Sequence, residues 1–231
     1  WASFNGVSMC EMESWAEAWR DRLFTDASGA DVAVDPATGR KVVVGKPGGY
    51  GAVLLLPGGG GEYFAGEWPT EWDGDAPDIG VLELVTLVAA VATWGEHLEG
   101  HKVLSRMDNQ SAEAVVNAGR ATDPGLGLVL RSLMDVMLRY DCDVRCEYIR
   151  SAWNRVADAL SRGRPDEVQD HLAGLKEVEP AYPLVEVATK AVRARRRFWA
   201  SVEENAALTG MSGRRRSGPP TPSATRGAPA P

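Results

Sequence analysis

Long hydrophobic runs are missing from this sequence. No eighteen consecutive apolar residues occur, and no basic stretch leads into a short apolar one, so neither a membrane span nor a secretory signal is expected and the chain reads as soluble and intracellular, with no membrane partner. Cysteine is scarce: Cys10, Cys142 and Cys146 are an odd, unpatterned set, which argues against a disulfide framework or a zinc site. Residues 142, 144 and 146 would share one face of a strand, so the last two thiols are expected to be reduced and buried. His97, His101 and His171 fit no metal spacing, and the glycines at 58–61 lack the Gly-Lys-Ser/Thr that would make a phosphate loop.

What is present fits one domain with flanks, since 231 residues exceed the usual single-domain length only modestly. The net charge of −7 hides an asymmetry. Residues 184–231 hold nine Lys/Arg against three Asp/Glu, a net +6 that leaves −13 on residues 1–183. An acidic body is poorly suited to coating phosphates but well suited to gathering carboxylates around divalent metal, and the basic tail can supply phosphate affinity.

Periodicity sets out the elements. RLFTDAS (22–28) reads as a strand delivering Asp26 to its end, GYGAVLLL (49–56) and EYFAGEWP (62–69) as two strands joined by PGGGG, and residues 30–48 as a turn-rich loop. Leu84, Leu87, Val88 and Val91 then fall at helical spacing, predicting a helix over 80–98 with Glu83 in its first turn. KVLSRMD (102–108) is a strand, 109–119 a short helix closed by Gly119, and the segment after Pro124 a longer helix with the stripe Leu126, Val129, Leu130, Leu133, Met134, Met137 and Leu138. A strand over 142–150 and a helix over 154–162 follow. The fold class is therefore α/β: a mixed five-stranded sheet flanked by helices, with helical patterns at 166–176 and 184–208 and a Pro-, Gly- and Ser-rich tail expected to be disordered.

Four acids stand at comparable places: Asp26 and Asp108 at strand ends, Glu83 at a helix start and Asp158 in a late helix. They are separated by 57, 25 and 50 residues. Taken singly, each is more often a solvated charge. Gathered together they would repel one another unless cations intervene, and hard oxygen ligands favour Mg²⁺ or Mn²⁺.

The segments FTDAS, LELVTL, RMDNQSA and NRVADALSR resemble the four successive motifs of RNase H domains fused to retroelement reverse transcriptases, of the DIRS or Ty3/gypsy kind, over about residues 22–164. The resemblance implies an RNase H-like domain at 22–164, preceded at 1–21 by the remnant of an upstream polymerase or connection region and followed by a helical extension (165–208) and the tail (209–231). It further implies that Asp26, Glu83, Asp108 and Asp158 are catalytic and hold two ions, Mg²⁺ or Mn²⁺. The substrate would be an RNA:DNA hybrid and the partner an upstream reverse transcriptase domain. Ser28, Asn109 and Gln110 stand where the family reads the RNA 2′-hydroxyl, although Ser and Asn also favour turns and helix caps.

The expected activity is metal-dependent endonucleolytic cleavage of the RNA strand of hybrids. The competing expectation is a catalytically silent RNase H-like connection or binding module, and a transposase or integrase core fits the ADALSR motif poorly. Two departures from the family stand out: no His precedes Asp158 in YIRSAWNR, and no basic handle lies between the central helices. Trp68, Trp72 and Trp153 are more readily core or edge residues than stacking platforms. The Arg run at 195–197 is expected to be a solvated helix face.

Overall fold

A computed structural model describes residues 15, 18–39, 41–72 and 75–208. Cys10, the expected disordered tail and the Arg run at 214–216 lie outside them. Strand β1 (Trp19–Ala27) occupies the middle of the principal sheet. Strands β2 (Val32–Val34) and β3 (Lys41–Val43) form a separate antiparallel hairpin. The remaining order is β4 (Gly49–Leu55), β5 (Gly61–Glu67), α1 (Ile79–Thr93), α2 (Gly95–Leu98), β6 (Lys102–Met107), α3 (Gln110–Ala118), α4 (Pro124–Arg139), β7 (Asp143–Tyr148), α5 (Arg155–Ser161), α6 (Gln169–Leu172), β8 (Leu175–Glu177) and α7 (Leu184–Leu208).

The sheet order is β7-β6-β1-β4-β5-β8. Strands β1, β4 and β5 form an antiparallel meander, and β6 and β7 add to the other side of β1 in parallel. Parallel neighbours need crossover connections, which α1 and the α3–α4 pair supply. Three antiparallel strands followed by two parallel ones, with helices on the faces, is the RNase H-like arrangement.

The sheet carries one strand more than the five expected. Strand β8 pairs in parallel with the outer edge of β5, Glu62 opposite Lys176, inside a segment whose pattern suggested helix only. Three residues are too few to show a period, and pairing with a ready-made edge supplies their hydrogen bonds instead. Likewise the loop at 30–48 contains the β2–β3 hairpin, whose valines at 32, 34 and 42 remain exposed. The helix over 80–98 is interrupted at Trp94, where α1 gives way to α2.

Helix α1 is the centre of the core. Every residue from Val81 to Val91 is buried, because the sheet covers one side while α4 and α7 cover the other. A helix enclosed on all sides is apolar all round rather than striped, and here only Glu83 and Thr86 break the apolar surface. Thr86 Oγ1 donates to Leu82 O at 2.9 Å. On α4, Val129, Leu130, Leu133 and Met137 are buried as the stripe requires, whereas Leu138 is exposed. From α7, Leu184, Val187, Ala188 and Ala191 join the same core, so this helix packs on the domain rather than standing apart from it.

Helix starts follow their sequence signals. Asp123 caps α4 by accepting the Leu126 N–H at 3.0 Å, with Pro124 at the first helical position. Asn109 caps α3 by accepting the Ala112 N–H, also at 3.0 Å. Gly119 closes that helix at φ 61°, in the left-handed region that favours glycine. Cys142 and Cys146 are buried free thiols, and among the described residues no helix is long and apolar enough to cross a membrane.

Candidate metal centre

The acids meet where β1 and β6 end side by side. Parallel pairing sets Phe24 opposite Arg106, so Asp26 and Asp108 finish adjacent strands at the same edge of the sheet. Glu83 reaches them from α1. It lies in the second turn rather than the first, because α1 begins at Ile79. Each of Asp26, Glu83 and Asp108 offers a carboxylate oxygen within 4.8 Å of the others.

Burial makes this arrangement costly. Asp26 and Glu83 each expose only 2 % of their surface. Desolvation pushes Glu83 from 4.5 to about 9, helped by the charges of Asp26 and Asp108 and opposed by the Ala27 backbone N–H that it accepts. Asp26 rises from 3.8 to about 7, mainly through burial, with Asp108 and Asp158 adding repulsion. The Ser161 hydroxyl offsets part of the rise at Asp26 by donating to its Oδ2, and Ser151 Oγ donates to Asp108 Oδ2. Glu83 Oε2 is buried with no hydrogen-bond partner among the described residues.

Asp158 stands differently. It lies in the first turn of α5, close enough for its charge to raise Asp26 and Glu83, but it is not among the three converging acids. Its carboxylate meets Arg162 Nε at 2.8 Å and Arg164 at 3.6 Å. Helix α5 is seated by close backbone contact, since a Cβ on Gly51 of β4 would come within 2.5 Å of Leu160 Cβ and 2.8 Å of Ala157 O. Asn154, buried just before α5, donates to Thr25 O at 2.9 Å and ties the helix to the residue preceding Asp26.

Ser28 and Asn109 have structural partners. Ser28 Oγ donates to Ser161 O at 2.6 Å and accepts the Gly49 N–H at 2.8 Å, which commits it inward between β4 and α5. Asn109 is the α3 cap. Gln110 is exposed at the start of that helix. Trp68 is core, Trp72 packs against it, and Trp153 is 79 % exposed. The sequence patterns did not single out Ser151, Ser161, Arg162 or Arg164. The last three follow Asp158 in ADALSRGR, and the i+3 and i+4 spacing of Ser161 and Arg162 from it was the available signal; Arg164, at i+6, had none.

No protein-family model matches the sequence, and no curated protein matches it. Among solved structures the chain is similar to RNase H1 from the halophilic archaeon Halobacterium salinarum NRC-1, with 19% identity over 63% of this chain and 96% of that one and a TM-score of 0.44. It is also similar to LC11-RNase H1, isolated from compost and solved with an RNA/DNA hybrid, at 16% identity over 64% and 97% of the two chains and a TM-score of 0.48. A third is the N-terminal RNase H domain of a Mycobacterium tuberculosis protein, at 16% identity over 64% and 96% and a TM-score of 0.42.

Proposed function

We propose that the chain is a metal-dependent nuclease that hydrolyses the RNA strand of RNA:DNA hybrids, in the setting of retroelement reverse transcription beside an upstream polymerase domain. The observation that carries this reading is the convergence of Asp26, Glu83 and Asp108 at the edge of an RNase H-like sheet. An all-carboxylate donor set that includes the unpartnered Glu83 Oε2 fits a hard divalent ion such as Mg²⁺ or Mn²⁺. Asp26, Glu83 and Asp108 would hold one ion, and Asp158 would complete a second position once separated from its arginines. When bound, such ions supply Lewis acidity at the scissile phosphate and stabilise the leaving oxygen.

The chain's own residues prepare the site. Burial of Glu83 and Asp26 excludes water and leaves them avid for positive charge. Ser161 and Ser151 fix the orientation of the Asp26 and Asp108 carboxylates, and Asn154 holds α5 against β1. A labelled hybrid incubated with Mg²⁺ or Mn²⁺ tests the reading. Wild type is expected to cut the RNA strand, and Asp108→Asn to lose at least about a thousandfold in rate, in line with removal of a group that stabilises the transition state, while its circular dichroism is unchanged. Full activity in that variant would reject the assignment; no cutting by wild type at high concentration would favour the silent module.

A further inference from the structure

The body of the domain carries an acidic excess and has no basic handle between α3 and α4, so a hybrid-binding protein of this kind needs its phosphate contacts elsewhere. Helix α7 provides a candidate surface. Arg193, Arg196 and Arg197 fall at i, i+3 and i+4 and are all exposed, forming one cationic stripe. Arg196 and Arg197 make no ion pair among the described residues. Exposed Trp199 follows on the next turn, with Phe198 packed edge-on at 5.3 Å.

The stripe has a fixed position. Arg195 turns inward and spans two helix caps, donating to Asp78 Oδ2 at the start of α1 and to Asp123 Oδ2 at the start of α4, the latter at 2.5 Å. This contradicts the expectation of a wholly solvated Arg run, and the reason is geometric: the core packing of Ala188 and Ala191 turns position 195 towards the two acids. Arg195 and Arg196 line a groove of about 340 Å³ with Val192, Trp199, Asp75 and Asp78. Glu83 lies five residues beyond Asp78, roughly 7 Å further along α1 at 1.5 Å per residue. Arg195 therefore anchors α7 at the N-terminal end of α1, the end from which Glu83 reaches the carboxylates, with α7 and the sheet on opposite sides of that helix.

We propose that the exposed face of α7, through Arg196 and Arg197 with Arg193 and Trp199 beside them, is the surface that holds the phosphate backbone of a nucleic-acid duplex whose other part lies at the carboxylates. This builds on the nuclease reading by naming where the substrate is gripped. Phosphate is the fitting ligand because the patch is cationic, exposed and rigidly placed while the rest of the body is anionic. Backbone contacts of this kind give affinity without sequence choice and are released by salt.

The test uses the full chain in an Asp108→Asn background with Mg²⁺, so that a fluorescent hybrid stays intact, and measures Kd by anisotropy from about 50 to 200 mM salt, the range over which binding to phosphates weakens steeply. Arg196→Ala with Arg197→Ala is expected to weaken binding about tenfold or more at the low-salt end and to flatten the slope of log Kd against log salt by roughly 2, close to 0.9 for each phosphate no longer neutralised. The double Lys variant should keep most of the slope, and a DNA duplex should show the same weakening. Both residues are exposed, so the melting temperature should not move. An unchanged slope and affinity overturn the proposal, as does absence of hybrid binding by the parent chain. Wild-type cleavage with an unmoved slope sinks this inference alone, whereas a flattened slope without any wild-type cleavage sinks the nuclease reading alone.

Discussion

Two clusters of acids flank the start of α1, and they are balanced in opposite ways. Asp78 at the start of α1 and Asp123, which caps α4, lie at the surface and share Arg195, a cation from α7. Asp26, Glu83 and Asp108 converge deeper, two of them almost fully buried, and the Arg162 guanidinium whose charge interacts with Asp26 and Asp108 is hydrogen-bonded to Asp158 instead. The shallow pair shares one arginine bonded to both members, whereas among the described residues no ion pair is made to the deeper trio. Carboxylates neutralised from within serve the fold; carboxylates left to repel one another are set for a ligand from outside.

The largest effect that distinguishes the two clusters is the response to pH and metal. Glu83 and Asp26 have folded-state values raised above their ordinary ones, so the native metal-free state holds protons that the unfolded chain releases. Stability is then fully present below about pH 4 and falls as pH rises, through about 7 for Asp26 and about 9 for Glu83. Each group contributes a slope of about 1.4 kcal/mol per pH unit within its window. Thermal melts in chelator from pH 5 to 9 should show a steady fall in Tm, reversed by millimolar Mg²⁺ or Mn²⁺. Glu83→Gln should flatten the curve and remove most of the metal response. A metal-free Tm that rises over this interval would mean the trio is compensated after all.

A smaller effect is expected at the shallow pair. Arg195→Met removes the shared cation and leaves Asp78 and Asp123 facing each other beside two helix starts. All three groups are partly exposed, so solvent screens the cost to about 1–2 kcal/mol. Denaturant unfolding measures it. Adding Asp123→Asn to the same chain should restore part of that stability, since one of the two repelling charges is then gone, and divalent ions should restore little. If metal rescues Arg195→Met as strongly as it stabilises wild type, the division between the two clusters does not hold.

The same division explains what the sequence disclosed. Asp26 and Asp108 were legible because an apolar run ending in an acid marks a strand end, and Glu83 because Leu82 and Leu84 flank it in a helical pattern. Its depth was not legible: α1 is enclosed by the sheet on one side and by α4 and α7 on the other, segments far apart in sequence. Strand β8 was hidden by its three-residue length, and the β2–β3 hairpin by a segment whose turn residues outweigh its valines. The inward commitment of Ser28 depends on how closely α5 settles on Gly49 and Gly51, and no local pattern encodes an approach between two distant segments. Arg195 differs from Arg196 and Arg197 only by helical phase against a core that the run itself does not reveal.

Asp158 belongs to neither cluster cleanly, and it offers the subtlest test. Arg162 and Arg164 balance it as Arg195 balances the surface caps, yet its charge is felt by Asp26 and Glu83. Both arginines are about half exposed, so replacing them with alanine should cost under about 1 kcal/mol in stability. The informative readout is Mn²⁺ binding by calorimetry without substrate. With its cations gone, the Asp158 carboxylate adds its full negative potential to the trio, so affinity should rise several-fold, a change that Asp158→Asn in the same chain abolishes. An affinity that does not move would place Asp158 with the neutralised acids, as a residue that seats α5 rather than one that attracts metal.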